Sequence, residues 1–277
     1  MTLTRREVLH LLDRHELRPS RALGQNFVAD PNTVRRIARL AKVGPGDRVL
    51  EVGAGLGSLS LALAETGAEV TAIERDRRLL PVLRPLVEPA GVRVLQGDAL
   101  SLDWHDVLGG EGGWVMVSNL PYNVAVPLVL GLLQKAAAIS RMLVMVQREV
   151  AARLAAGVGD DGYGAVSVKV AYRATATVVG RVPATVFVPR PRVESSLVAV
   201  ERLVHPAVRA EEGRLLALVS AGFAHRRKML RRALSGLVGT EVLVAAGIDP
   251  EARAEELDIQ AWGRLAQCAT DNEPSPS

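Results

Sequence analysis

The sequence predicts an α/β fold, a largely parallel sheet with helices between its strands, followed by a small helical C-terminal domain. Three observations carry that prediction. Short strands read at 47–52, 69–73, 92–95 and 114–117, the last of them wholly apolar, alternate with amphipathic segments, the pattern of successive βαβ units. Each run stops at a glycine loop, an acid or a polar island, which places those groups at the carboxyl ends of strands, where open α/β sheets bind ligands. A composition break at His205-Pro206 then opens a segment of a different, helical character. The domains are expected at 1–204, including an N-terminal helical extension, and 205–270, with a disordered tail at 271–277.

Composition narrows the function. The 277 residues are 48% hydrophobic, enough for one large core and a smaller one. One cysteine, Cys268, excludes a disulfide framework and a cysteine-rich metal site and points to a reducing compartment. Residues 112–134 carry no charge, but Asn119, Pro121, Asn123 and Pro127 interrupt them, so no membrane span is expected. No signal peptide is read before residue 30. The formal charge of +4 permits a nucleic-acid partner without demanding one.

Residues 1–22 read as a charged helix and an exposed segment, with Arg5, Arg6, Arg14, Arg18 and Arg21 outnumbering Glu7, Asp13 and Glu16. The stretch Leu23-Gly24-Gln25-Asn26-Phe27-Val28 precedes Asp30-Pro31, a helix start with Asp as cap and Pro at the first position. Arg35, Arg39 and Lys42 then fall on one helix face, read as solvated surface. The first strand runs into Gly53-Ala54-Gly55-Leu56-Gly57, a nucleotide-type turn whose glycines let a ligand approach the backbone. Ser58 stands where a dinucleotide fingerprint needs glycine, which disfavours a nicotinamide oxidoreductase. The second strand ends in Glu74, 21 positions after Gly53, suited to ribose hydroxyls; the third ends in Gln96-Gly97-Asp98.

The fourth strand runs into Ser118-Asn119-Leu120-Pro121-Tyr122-Asn123, and Pro121 cannot extend a ladder. An exocyclic amine on a nucleobase is a poor nucleophile because its lone pair is delocalised into the ring. The Asn119 carboxamide oxygen and the Leu120 carbonyl are suited to accept both amine hydrogens, and the Tyr122 ring to stack on the base. This is a geometry for amine alkylation, although the residues also suit an ordinary strand-to-helix turn. The five histidines, His10, His15, His105, His205 and His225, form no metal-ligand spacing, and no nucleophilic triad is suggested.

Downstream, a helix to about Ala137, a strand at 142–146 and a helix opening at Gln147 are expected, then a loop at 160–164 and a helix over 165–173. Segments 175–182 and 197–203 read as a terminal strand pair. Between them lies Phe187-Val188-Pro189-Arg190-Pro191-Arg192, where Pro183, Pro189 and Pro191 argue against a strand. With three Phe in the chain, Phe187 in this loop is expected to serve function and not the core. Residues 213–240 contain no acid, yet carry Arg214, Arg226, Arg227, Lys228, Arg231 and Arg232. If they are helical, Arg227 and Arg231 share one face and Lys228 and Arg232 the next, a phosphate-binding surface.

Together these pieces resemble the ribosomal RNA adenine-N6,N6-dimethyltransferase family, in its bacterial small-subunit branch. The resemblance rests on Gly24-Gln25-Asn26-Phe27, Glu51 to Gly57, Glu74, Gly97-Asp98-Ala99, Asn119 to Tyr122, Tyr163-Gly164 and Phe187 to Ser195, which run in the family's order. It implies a class I, Rossmann-like methyltransferase domain, S-adenosylmethionine as donor, no metal, and dimethylation of adenine amines in a hairpin loop of small-subunit (16S) rRNA. It implies that Gln25, Asn26, Val28, Gly53 and Gly55 contact the cofactor, Glu74 its ribose and Asp98 its adenine amine, with Asn119 between donor and target. Phe187 would sandwich the target base with Tyr122, while Arg226, Arg227, Lys228, Arg231 and Arg232 bind RNA. A cytoplasmic monomer acting on the pre-30S particle follows. The alternatives are a large-subunit rRNA dimethyltransferase that confers antibiotic resistance, against which Leu120 and the Phe187 loop speak, and an assembly factor that acts mainly by binding.

Overall fold

The structure, a computed structural model, describes residues 2–110, 112–121, 123–225 and 227–271. Its elements follow in order as α1 (Arg5–Arg14), β1 (Phe27–Val28), α2 (Pro31–Ala41), β2 (Arg48–Val52), α3 (Ser58–Ala64), β3 (Glu69–Glu74), α4 (Leu80–Val87), β4 (Arg93–Gln96), α5 (Trp104–Leu108), β5 (Trp114–Asn119), α6 (Ala125–Lys135) and β6 (Ile139–Gln147). Then come α7 (Arg148–Ala155), α8 (Ala165–Arg173), β7 (Ala174–Val182), β8 (Phe187–Val188), β9 (Ser195–Arg202), α9 (Glu212–Ala224), α10 (Leu230–Ala233), α11 (Thr240–Ala245) and α12 (Ile259–Asp271).

Among the described residues seven strands form one sheet in the order β4-β3-β2-β5-β6-β9-β7. The pairs β4–β3, β3–β2, β2–β5 and β5–β6 are parallel, and β9 runs antiparallel to β6. The chain moves outward from β2 to β3 and β4, then returns to lay β5 on the other side of β2. That reversal opens a crevice at the carboxyl ends of β2 and β5. The central strands are apolar because both faces are covered: Val49, Leu50, Met116 and Val117 have no exposure.

The helix starts obey local chemistry. Thr4 and Glu7 form a reciprocal capping box on α1, and Asp30 accepts the Thr33 N–H at 2.9 Å to cap α2, whose first residue is Pro31. The face expected to carry Arg35, Arg39 and Lys42 breaks at its last member. Lys42 is the left-handed cap residue (φ 50°) beyond the helix, and Arg35 is bound to Glu65 at 2.9 Å.

Two expectations need correcting. Residues 187–188 were read as loop because of the flanking prolines, yet they form β8, paired antiparallel with β1 in the register Phe27↔Val188 and Val28↔Phe187. A strand of two residues ends before Pro189, so no ladder bond is required of the proline. The chain also divides into two compact units, Met1–Ala151 with Thr177–Arg202, and Ala152–Ala176 with Leu203–Ser277. The boundary expected at residue 204 lies close to the crossing after Arg202. The expectation had no counterpart for residues 152–176, because α8 is amphipathic like any sheet-covering helix and only packing shows that it belongs with α9 and α12.

The second unit is built on Trp262, which has no exposure and lies 6.1 Å from the Phe223 ring, itself 6.1 Å and edge-on from Tyr163. The Tyr163 hydroxyl donates to the Leu257 carbonyl at 2.7 Å, and burial pushes its pKa up to about 12. A Cβ at Gly222 of α9 would stand 2.6 Å from the Trp262 ring. Gly222→Ala should therefore destabilise the protein by about 1–3 kcal/mol from overpacking, less up to about 1 kcal/mol of regained helix propensity. Denaturant unfolding followed by Trp fluorescence checks this, and a stabilised variant would refute the contact.

Candidate active site

A pocket opens at the carboxyl edge of β2, β3, β4 and β5, all within the first unit. Its floor is the glycine turn. Gly53, Gly55 and Gly57 have φ values of 79°, 60° and 85°, a left-handed run that other residues adopt at a cost. Gly55 has a second reason to be glycine, since a Cβ there would meet the Phe27 ring at 2.9 Å. The turn lets Gly53 N–H bond the Ile73 carbonyl at 2.8 Å, fastening the end of β2 to β3.

Glu74 closes that junction. Its carboxylate, 6% exposed, accepts the Gly55 N–H at 2.8 Å on Oε2 and the Asp76 N–H at 2.7 Å on Oε1. Burial pushes its pKa up, and the backbone N–H groups of Asp76, Gly55 and Arg75 pull the other way. Each oxygen keeps a lone pair for a hydroxyl donor. Asp98, beyond β4, lines the same pocket; it accepts the Leu100 N–H at 3.2 Å and pairs with Arg75 at 3.3 Å.

Asn119 ends β5 beside Met145 of β6, and the next residue's N–H is held by the Met145 carbonyl at 3.0 Å. Its Nδ2 donates to the Asn26 carbonyl at 3.1 Å. That partner only accepts, so it engages one N–H of the amide and leaves Oδ1 as the acceptor of a side chain that lines the pocket. Leu120 lines the pocket and is buried, Pro121 follows, and Asn123 Nδ2 donates to the Ala22 carbonyl at 3.3 Å. Tyr122, expected to stack on a base, lies outside the described residues.

Of the residues expected to contact a cofactor, Gln25, Asn26, Val28, Gly53, Gly55, Glu74, Asp98 and Asn119 all line this one pocket. Gln25 differs from its expected use: its Oε1 accepts the Ser20 N–H at 2.7 Å and its Nε2 donates to Asp76 at 2.9 Å, so protein groups engage both ends of the amide. Phe187 also departs from expectation. Its ring is 1% exposed and belongs to the core of the first unit, because pairing with Val28 through β8 turns it into the interior. An aromatic so covered offers no face for stacking in this conformation.

Sequence reasoning gave no role to Glu51, the fourth residue of β2. It lines the pocket at 1% exposure, accepts the Ser60 hydroxyl, and is pushed up to about 8 by burial. An acid between Leu50 and Val52, in the buried part of a parallel strand, was the available signal. Arg75 and Leu100, at the ends of β3 and β4, also line the pocket and carried no signal.

In the second unit the basic residues are not on one helix. Helix α9 stops at Ala224, and Arg227 and Lys228 sit in a turn whose Lys228 N–H bonds the His225 carbonyl at 2.7 Å. Of Arg227, Lys228, Arg231 and Arg232, the last two alone are helical, on the four-residue α10, so the i, i+4 facing expected from spacing does not exist. Arg231 moreover pairs with Glu251 at 3.2 Å, an acid outside the acid-free stretch. Arg227, Lys228, Arg231 and Arg232 are all exposed, and Arg226 lies outside the described residues.

The pocket suits S-adenosylmethionine. A bare-backbone turn would admit a nucleoside closely, Glu74 and Asp98 are carboxylates at successive strand ends whose chemistry fits ribose hydroxyls and an amine, and Asn26 and Asn119 meet in the same pocket.

Comparison with known proteins agrees with that chemistry. A family model described as ribosomal RNA adenine dimethylase matches residues 16–271. The chain is 47% identical over 276 residues to the ribosomal RNA small subunit methyltransferase A of Cutibacterium acnes, covering 94% of this chain and 92% of that one. Its fold is similar to a dimethyladenosine transferase from Plasmodium falciparum, with a TM-score of 0.71 at 23% identity over 85% of this chain and 94% of that one. It is also similar to the 23S rRNA methyltransferase ErmE, with a TM-score of 0.69 at 25% identity over 88% of this chain and all (100%) of that one.

Glu51 generates a pH prediction. The unfolded chain loses this proton near 4.5 and the folded one near 8, so between those values the folded state binds the extra proton and stability falls as pH rises. Glu51→Gln should flatten that fall, leaving the smaller share of the same sign from Glu74. Denaturant midpoints measured across the window check it; parallel curves for the two proteins would refute it.

Proposed function

The chain belongs to the ribosomal RNA adenine dimethylase family, and we propose that it transfers methyl groups from S-adenosylmethionine to the N6 amines of adenines in small-subunit (16S) rRNA. The observation that carries this reading is Asn119: it lines the pocket at the end of β5, and its amide nitrogen is tied to the Asn26 carbonyl, which leaves Oδ1 as the acceptor of that side chain. The curated relatives at 42–47% identity bear the small-subunit name, which favours that target over the large subunit.

Bound S-adenosylmethionine supplies an activated methyl on a cationic sulfur. Glu74 holds ribose hydroxyls, Asp98 the adenine amine, and Asn26, Val28, Gly53 and Gly55 line the remainder of the pocket. Asn119 Oδ1 and the Leu120 carbonyl accept the two hydrogens of the target amine, drawing its lone pair out of the ring and stabilising the positive charge that grows on nitrogen. After one methylation a single hydrogen remains, and either oxygen suffices to orient it. Positioning carries most of the rate, so no side-chain nucleophile is required. Tyr122 stacks on the flipped base, which offsets part of the cost of unstacking it. Phe187 joins that sandwich only if its ring leaves the core.

Arg226, Arg227, Lys228, Arg231 and Arg232 contact rRNA phosphates. Arg227, Lys228 and Arg232 form the exposed turn and short helix, and the pairing of Arg231 with Glu251 lessens its share. The enzyme acts as a monomer on the pre-30S particle, in the cytoplasm where that particle is assembled.

Incubation with labelled S-adenosylmethionine and unmethylated small or large subunits, followed by mapping of the labelled base, tests the reading; label on the large subunit alone would refute it. Asn119→Ala should slow single-turnover methylation by about 10²–10³-fold while cofactor affinity changes little. Near-normal rates would remove Asn119 from the mechanism. Replacing Arg227 and Lys228 together by Ala should reduce the log–log salt slope of RNA binding by about 1.5–2. Weaker binding with an unaltered slope would mean that the turn is structural.

A further inference from the structure

The end of β3 carries a second carboxylate that the reaction does not use. Asp76 is 7% exposed and lies outside the pocket lining. The Arg78 side chain grips both its oxygens, Nε on Oδ1 at 3.0 Å and Nη2 on Oδ2 at 2.7 Å, and the Arg78 N–H adds a bond to Oδ1 at 3.1 Å. This fork holds the carboxylate well down, at a pKa of about 2, and in one orientation. In that orientation Oδ2 accepts Gln25 Nε2 at 2.9 Å.

Gln25 in turn closes its own loop. Its Oε1 takes the Ser20 N–H at 2.7 Å, and its N–H bonds the Ser20 carbonyl at 3.1 Å. The same segment is fastened at the other strand end, where the Asn26 carbonyl accepts from Asn119 and the Ala22 carbonyl from Asn123. Residues 20–26 thus form a strap running from the end of β3 to the end of β5, over the glycine turn of β2 that lies between them in the sheet. The β5 end of the strap is tied by neutral amides; the β3 end is tied by a charge-assisted bond to Asp76.

We propose that Asp76 is a positioning residue: through Gln25 it holds the strap of residues 20–26 closed over the cofactor pocket, and so sets how tightly S-adenosylmethionine is retained. The proposal rests on that cofactor occupying the pocket. It assigns Gln25 to the latch instead of to direct contact with the ligand.

The test exchanges the two partners. Gln25→Glu removes the donor and sets a carboxylate against Asp76, whereas adding Asp76→Asn restores a donor–acceptor pair in the reverse sense and keeps an oxygen for Arg78. Gln25→Glu should raise the calorimetric Kd for S-adenosylmethionine about tenfold and speed amide exchange over residues 20–26 of the ligand-free protein by a similar factor. The double variant should return both quantities to within about threefold of the wild type. A double variant no better than Gln25→Glu, or a Gln25→Glu protein that matches the wild type, would overturn the latch. If Gln25→Glu does not fold, Gln25→Met removes the donor without adding charge. With an unchanged Tm, about tenfold weaker binding upholds the latch and wild-type affinity overturns it. Wild-type protein that binds no S-adenosylmethionine would defeat the cofactor reading, while the exchange rates of the ligand-free variants still decide the latch.

Discussion

The site depends on a buried carboxylate that accepts backbone donors from two directions. Glu74 ends β3 and takes N–H groups from Gly55, in the turn after β2, and from Asp76, in its own turn. A buried anion without donors would be driven to neutrality, and a glycine turn without an acceptor would leave N–H groups unpaired. Each satisfies the other. The result is a pocket whose floor keeps its shape before any ligand arrives, with lone pairs of the same carboxylate left for it.

From that junction the remaining geometry follows by short steps. The turn at Asp76 presents the carboxylate that holds Gln25, Gln25 shapes the strap of residues 20–26, and the strap's Asn26 carbonyl fixes which end of the Asn119 amide faces the pocket. A cofactor-side residue and a reaction-side residue are thereby connected through main-chain and side-chain hydrogen bonds within one unit. Glu51 lines the same pocket, accepts the Ser60 hydroxyl and is pushed up to about 8 by burial, with the nearby Glu74 charge acting in the same direction.

The basic turn of the second unit obeys a different logic. Its chain is pinned by backbone bonds, Leu230 N–H to the Ala252 carbonyl at 2.8 Å and Arg231 N–H to the Pro250 carbonyl at 3.1 Å, while the cationic side chains remain exposed. The proposed phosphate contacts need charge and reach more than rigid facing, which a turn with an anchored backbone can offer as a helix would.

What the sequence determined by itself was where the strands of the large sheet lie along the chain and the chemistry at their ends. Apolar runs bounded by glycine or acid have few alternatives in a parallel sheet, and Gly53, Glu74, Asp98 and Asn119 were legible because strand ends in such a sheet share one edge. Tertiary structure alone decided the contacts made across long separations. Phe187 looked like a loop aromatic because local proline content hid a two-residue strand, and its burial is set by a partner about 160 residues earlier. Arg227 and Lys228 looked helical because periodicity cannot see that α9 ends at Ala224 and that the next N–H groups, of Leu230 and Arg231, are taken by carbonyls of residues 252 and 250. The use of Gln25 was likewise hidden, since an amide's role depends on which donors and acceptors the fold brings to it, and Asp76 and Ser20 meet it only once β3 and the strap are in place.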